Sequence, residues 1–305
     1  MFDTVLQLDC SGRILTFEQP RICGILNVTP DSFSDGGRFV THAAAIAHGR
    51  RLVEEGADLL DVGGESTRPG AMPVNVGEEI HRVVPVIEAL VAQVSVPISI
   101  DTSKPEVMRA AVGAGAGLIN DVYALRQTDA LAAAAELDVP VCIMHMRGAP
   151  RSMQQQPHYD DVVGEVYRFL ADRLLACEFA GIAHSRILVD PGFGFGKTLE
   201  HNLQLLQALP RFADLGVGVL VGLSRKSMIG VLTGRETPSQ RVSGSVAAAL
   251  LAVERGARIV RVHDVAATRD ALRVWQGLRK YAPRVGRGHA GGILQRVGVD
   301  DDDDE

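Results

Sequence analysis

The chain has 305 residues, 46% of them hydrophobic and 22% charged, which is enough apolar material for a large core in one or two domains. The net charge is −6, and the acidic run Asp300–Glu305 alone accounts for it; the near-neutral body argues against a nucleic-acid or membrane-surface partner. Cys10, Cys23, Cys142 and Cys177 form no CxxC pair, and neither a signal-like N-terminus nor an apolar run of spanning length is present, so the expectation is a soluble cytoplasmic protein with free thiols.

Taken in order, Val5–Leu8 and Ile14–Phe17 alternate apolar and polar residues around Cys10-Ser11-Gly12-Arg13, a hairpin signal. Residues 1–20 are therefore expected to form a hairpin that closes the bottom of a barrel. Ile22–Asn27 reads as the first buried strand and opens into NVTPDSFSDGG, whose Pro30, Gly36 and Gly37 break regular structure. A helix over Thr41–Glu55 leads to a second strand at Ala57–Asp61 and then to the polar loop GGESTRPG. Ile80, Val83, Val84, Ile87 and Leu90 recur at helical spacing within Glu78–Gln93.

The third strand, Pro97–Asp101, precedes Pro105, which suits the first turn of a helix ending near Gly113. The fourth strand is Leu118–Asn120, followed by Asp121 and a helix over Ala130–Leu137. The fifth is Val139–Met144, followed by His145 and a helix from Asp160 to about Ala180. The sixth, Ile187–Asp190, enters PGFGFGKT and a helix over Leu199–Ala208. The seventh, Val217–Gly222, enters LSRKS, and a helix over Arg241–Arg255 comes before the eighth, Ile259–Val262. His263 and Asp264 then lead into a last helix, Val265–Tyr281. The Gly- and Arg-containing, then acidic, tail from Arg284 is expected to be disordered.

Eight alternating strand–helix units of this kind predict a single (β/α)8 TIM barrel over residues 21–283. In that fold the carboxyl ends of the strands converge on one mouth. Here they carry Asn27, Asp61, Asp101, Asn120, His145, Asp190, Lys226, Arg261 and His263. Asp61, Asp101, Asn120, Asp190 and Lys226 suit a flat, nitrogen-rich heterocycle, because carboxylates pair with edges that present two parallel N–H donors. Asn27, Arg261, His263 and Arg68 form an anion-binding set; Arg261 and His263, two residues apart, share a side of their strand.

Two motifs carry less than they suggest. GFGFGKT lacks the leading glycine of a phosphate loop, since Pro191 stands there, and Lys197 reads as structural or solvated. Asp121 and His145 have no third ligand at useful spacing, so hydrogen-bonding roles are expected rather than a zinc site.

Several stretches together resemble the dihydropteroate synthase family of pterin-binding barrels. They are GILNVTPDSFSDGG from Gly24, DVGGESTRPG from Asp61, SIDTSKPEV from Ser99, IND from Ile119, MHMRG from Met144, DPGFGFGKT from Asp190, GLSRKS from Gly222 and RVHDV from Arg261. The resemblance implies condensation of 6-hydroxymethyl-7,8-dihydropterin pyrophosphate with 4-aminobenzoate. It implies pterin contacts at Asp61, Asp101, Asn120, Asp190 and Lys226, and pyrophosphate contacts at Asn27, Arg68, Arg261 and His263. Magnesium (Mg2+) is implied at Asn27, and an aminobenzoate pocket at Phe33, Thr67, Arg68, Pro69 and Ser224. Asp101, Asp190, Lys226, Arg261 and His263 would carry the catalysis, in a homodimer with only small-molecule substrates.

One departure is Tyr123-Ala124, where small residues such as Ser-Gly are expected in the family. Two rival readings are a methyltetrahydrofolate–corrinoid methyltransferase and a catalytically silent pterin-binding paralogue. The first has no need of ESTRPG or of an anion clamp, and the second should have lost clamp or loop residues that are all present.

Overall fold

The computed structural model describes residues 7–29, 38–66, 72–148 and 153–281. Phe33, Thr67, Arg68, Pro69 and the tail from Arg284 lie outside the described residues. Strands β1 (Gln7–Cys10) and β2 (Arg13–Thr16) pair antiparallel. The first arm runs two residues further than expected, to Cys10, and the second begins one residue earlier, at Arg13, because the chain reverses on Ser11-Gly12 alone. Both residues take positive φ, 55° and 82°, as a two-residue hairpin turn of matching twist requires.

Eight parallel strands follow: β3 (Arg21–Asn27), β4 (Leu59–Gly63), β5 (Ile98–Asp101), β6 (Leu118–Asp121), β7 (Val141–Met144), β8 (Ile187–Asp190), β9 (Gly218–Val221) and β10 (Ile259–Val262). They close in chain order, with β10 hydrogen-bonded to β3, into the expected (β/α)8 barrel. The helices are α1 (Arg38–Glu54), α2 (Val76–Val91), α3 (Pro105–Gly113), α4 (Ala130–Leu137), α5 (Val162–Phe179), α6 (Leu199–Gln207), α7 (Leu209–Ala213), α8 (Ser227–Thr233), α9 (Val242–Glu254) and α10 (Val265–Lys280). Among the described residues, no helix is long and apolar enough to cross a membrane.

The period of two along each strand divides the core. Outward residues such as Ile22, Leu60, Ile100, Ile119, Val141, Val189, Val219 and Val260 pack against the helices. Inward residues at the strand starts, Cys23, Leu59, Leu118, Cys142, Leu188, Leu220 and Ile259, form a separate cluster with Leu8, Cys10, Leu15 and Phe17 of the hairpin. Gly117 marks how closely the hairpin lies against the barrel: a Cβ there would run into the Cys10 carbonyl.

One step further up the same inward faces the chemistry changes. Two residues after Leu59, Leu118, Leu188 and Ile259 stand Asp61, Asn120, Asp190 and Arg261. At these four positions the layer on the carboxyl-terminal side of the apolar floor is polar.

Candidate active site

The deepest part of the mouth is a charged network. Arg261 of β10 donates from Nε to Asp61 Oδ2 at 2.5 Å and from Nη2 to Asp101 Oδ2 at 2.8 Å. Asn120 donates from Nδ2 to the same Asp61 oxygen at 3.0 Å. Asp61 is 1% exposed, and its Oδ1 and the Ser99 hydroxyl on the next strand have no hydrogen-bond partner among the described residues. A buried acceptor left open in this way is poised for a donor from outside the chain.

Two carboxylates on one guanidinium leave the network a net acid. Burial, partly offset by Arg261, pushes Asp101 up to about 7. Burial opposes the charge on Arg261, but Asp61 and Asp101 outweigh it and hold the guanidinium protonated.

Across the mouth lies a second group. Asp190 ends β8, and its Oδ1 accepts from Gly192 N at 2.7 Å. Burial raises the Asp190 carboxyl, and Lys226 opposes that rise. Lys226 follows β9. Its Nζ donates to the Phe193 carbonyl and stands 4.4 Å from the Phe195 ring centroid. Burial lowers the Lys226 ammonium to about 8, against the pull of Asp190. This group therefore holds an ammonium against an aromatic face beside a carboxylate.

The rim toward α1 forms a third region. His263 faces Ser224, with Nδ1 3.0 Å from Oγ. Asn27 and His263 line a cavity of about 630 Å³ together with Ile25, His48, Arg51 and Arg225. Arg225 is held at that rim by a two-pronged bond to Asp264, at 2.9 and 2.5 Å.

The structure brings together Asp61, Asp101, Asn120 and Arg261 in one network, Asp190 and Lys226 in another, and Asn27, Ser224 and His263 at the rim. Arg261 bonds to the two aspartates, while His263 lies against Ser224. Asp121 and His145 have partners other than a metal. Asp121 caps its own turn, accepting from Tyr123 N at 2.8 Å and Leu125 N at 2.7 Å. That cap holds Ala124 and Leu125 at φ 54° and 57°, where the departure from the family pattern falls. No group of three or more His, Cys, Asp or Glu suited to a metal occurs among the described residues.

Sequence reading missed Phe193, Phe195 and the Arg225–Asp264 pair. The alternating Phe and Gly of 192–196 were the available signal, and the Arg of LSRKS was the other. Of the two roles expected for Lys197, the structural one holds: it is 3% exposed, 2.9 Å from His145 Nδ1.

A family model of pterin binding enzymes matches residues 23–263. The dihydropteroate synthase of Escherichia coli K12 is 51% identical over 269 residues, which is 88% of this chain and 95% of that protein. The Xanthomonas albilineans dihydropteroate synthase solved with 4-aminobenzoic acid superposes with a TM-score of 0.87 at 66% identity, covering 90% of this chain and 99% of that one. The same organism's enzyme in complex with 7,8-dihydropteroate gives 0.83 at 63% identity, covering 90% and 98%. A closed barrel with this polar mouth, matched along most of its length, belongs to the pterin-binding enzyme family that contains the dihydropteroate synthases.

Proposed function

We propose that this chain is a dihydropteroate synthase that joins 4-aminobenzoate to 6-hydroxymethyl-7,8-dihydropterin pyrophosphate and releases pyrophosphate. The observation that carries the reading is the two-sided mouth: Asp61, Asp101 and Asn120 on one wall, Asp190 and Lys226 on the other, within a chain 51% identical to a named synthase. Carboxylates and an amide on one side, and a carboxylate and ammonium on the other, match the donors and acceptors around a pterin ring.

The chemistry follows from charge. Departure of pyrophosphate leaves a methylene carbon whose positive charge spreads into the pterin ring. Asp190, buried, and Asp101, half-buried, stabilise that cation without reorganising at the moment of reaction. Asp61 is assigned to hold Arg261 and Asn120 in place as well as to border the ring. His263, Asn27, Arg261 and Arg68 are assigned to the departing anion. The arylamine is neutral at working pH and attacks without an activated protein nucleophile. Ser224 is assigned to the aminobenzoate side, with Phe33, Thr67, Arg68 and Pro69.

Magnesium is part of the reading. The donor set fits a hard cation that takes oxygen ligands and retains water: Asn27 supplies an amide oxygen at the cavity lined by His263, and substrate phosphate oxygens would complete the shell. When bound, the ion neutralises charge on the leaving pyrophosphate. A homodimer is also proposed; the exposed Leu203, Val231, Leu232 and Leu251 on α6, α8 and α9 support it.

The test is pyrophosphate release from the pterin pyrophosphate with magnesium, with and without 4-aminobenzoate, in wild type beside Lys226→Ala. Release that depends on 4-aminobenzoate and is lost in the variant is the expected result. Binding of the pterin compound with no release under any condition means that the chain is a silent binder and the mechanism is wrong.

A further inference from the structure

A buried lysine next to the site has no assigned role. Lys197 Nζ donates to the Gly192 carbonyl at 2.8 Å and the Phe195 carbonyl at 3.0 Å, and lies 2.9 Å from His145 Nδ1 and 3.3 Å from the His145 carbonyl. No ion pair joins it to a carboxylate among the described residues. One side-chain atom thus gathers both ends of a short turn and seats them on the segment after β7.

The turn itself is built for close approach. Gly192 and Gly196 take φ of +71° and +65°, and a Cβ on either would strike the carbonyl of His145 or of Arg147. Phe195 N closes on Gly192 O at 3.1 Å. Asn202 Oδ1 accepts from Gly194 N at 2.7 Å, and the Tyr159 hydroxyl donates to Gly196 O at 2.9 Å. His145 is itself wedged edge-on against Phe169, with ring centroids 4.9 Å apart.

The opposite side of this turn meets Lys226. The Phe193 carbonyl accepts from Lys226 Nζ, the Phe195 ring lies under it, and a Cβ on Gly194 would touch Lys226 Cδ at 3.1 Å. We propose that Lys197, seated on His145, is a positioning residue for the pterin end of the site: it sets the 191–196 turn whose Phe193 carbonyl and Phe195 ring fix the Lys226 ammonium. This rests on the reading of Lys226 as a pterin contact.

The charge balance is consistent with such a role. Burial drives Lys197 well below its ordinary value, and burial followed by Lys197 pulls the His145 imidazole down to about 2. Charge is disfavoured at both, which leaves Lys226 as the cation that this turn presents to the mouth. Lysine serves here through its reach and its donors, since the buried Gly192 and Phe195 carbonyls need hydrogen-bond partners.

The experiment is steady-state kinetics with both substrates on Lys197→Met, which keeps the side-chain length and removes the donors, alongside thermal melting. The expected result is a KM for the pterin pyrophosphate raised about 10-fold with the KM for 4-aminobenzoate changed less than about 2-fold. The alkaline limb of the pH profile, set by Lys226 at about 8, should move upward as that ammonium gains water. In a Lys226→Ala background the Lys197→Met change should alter the dissociation constant of the pterin pyrophosphate, read by calorimetry without turnover, by less than about 2-fold, because the two act as one unit.

A variant that melts earlier but shows no KM split and no moved limb has lost only structure, and the proposal is overturned. Should Lys197→Met fail to fold, His145→Gln carries the test, with the same split expected at about 3-fold. Wild-type activity separates the two readings. Its absence defeats the proposed function and this inference with it, whereas an active wild type with unaffected variants defeats only the inference.

Discussion

The floor and the mouth of the barrel interior are built on the same strands, two residues apart, and follow opposite rules. Leu59, Leu118, Leu188 and Ile259 point inward at the floor and meet Leu8, Leu15 and Phe17 of the hairpin in an apolar cluster. Asp61, Asn120, Asp190 and Arg261 point inward one step higher and are buried or half-buried, and burial opposes the charge on Asp190 and on Arg261. The floor contributes stability by removing apolar surface from water. The mouth holds its charges only because each has a partner, and it keeps open acceptors such as Asp61 Oδ1. One end is therefore tuned for packing and the other for a ligand.

Removing the shared guanidinium should break this division most strongly. Arg261→Ala leaves buried Asp61 and half-buried Asp101 without their cation, so stability should drop by about 3–5 kcal/mol, and synthase turnover should fall by about 100- to 1000-fold through loss of electrostatic preorganisation. Urea melts and pyrophosphate release check the two effects; a variant that keeps near-normal turnover would falsify the role given to this network.

The floor should respond differently. Gly117→Ala places a Cβ against the Cys10 carbonyl and pushes the hairpin off the barrel, at a cost of about 2–4 kcal/mol in stability. Turnover of the folded enzyme, measured well below the new Tm, should stay within about 2-fold, since no residue of the mouth moves. A large kcat loss in a fully folded sample would show that floor and mouth are coupled.

Asp101 gives a pH signature that the floor lacks. Its folded value of about 7 lies above that of an unfolded aspartate, so between about 4 and 7 the folded chain holds a proton that the unfolded chain has released. Stability should therefore fall as pH rises through that window, by at most about 1.4 kcal/mol per pH unit, and level off above it. Asp101→Asn should flatten this slope in melts taken from pH 5 to 8. In the wild type, kcat/KM for the pterin substrate should decline as pH falls below about 7, as the carboxylate that stabilises the cation is protonated.

The smallest effect belongs to neither region. Arg109 and Glu136 pair at 3.0 Å on the surface between α3 and α4, with both side chains well exposed. Arg109→Ala should change stability by less than about 1 kcal/mol and leave turnover unaltered. A larger loss in thermal melts would mean that the outer helices depend on ion pairs more than their packing indicates.

Much of this comparison was legible in the chain. Ile187–Asp190 and Ile259–Val262 were readable to the residue because short apolar runs end there in a charge and a loop. The α8 segment Ser227–Thr233 was not, since seven residues are too few for a helical period to emerge and Gly230 interrupts them. Lys197 looked like a loop lysine because glycine-rich sequence carries no mark of being folded back onto a neighbouring strand end.

The sequence by itself determined the eight strand–helix units, the inward or outward side of each strand residue, and hence the set of polar groups that share the mouth. Those follow from local periodicity and strand ends, which depend only on neighbours in the chain. The tertiary structure alone decided the pairings: Arg261 with Asp61 and Asp101, Ser224 with His263, Lys197 with His145. Arg261 meets partners 200 and 160 residues earlier because β10 closes on β3. Period two fixes the side on which a residue projects, but only the stagger of the closed barrel sets its height, and height decides which carboxylate a guanidinium reaches.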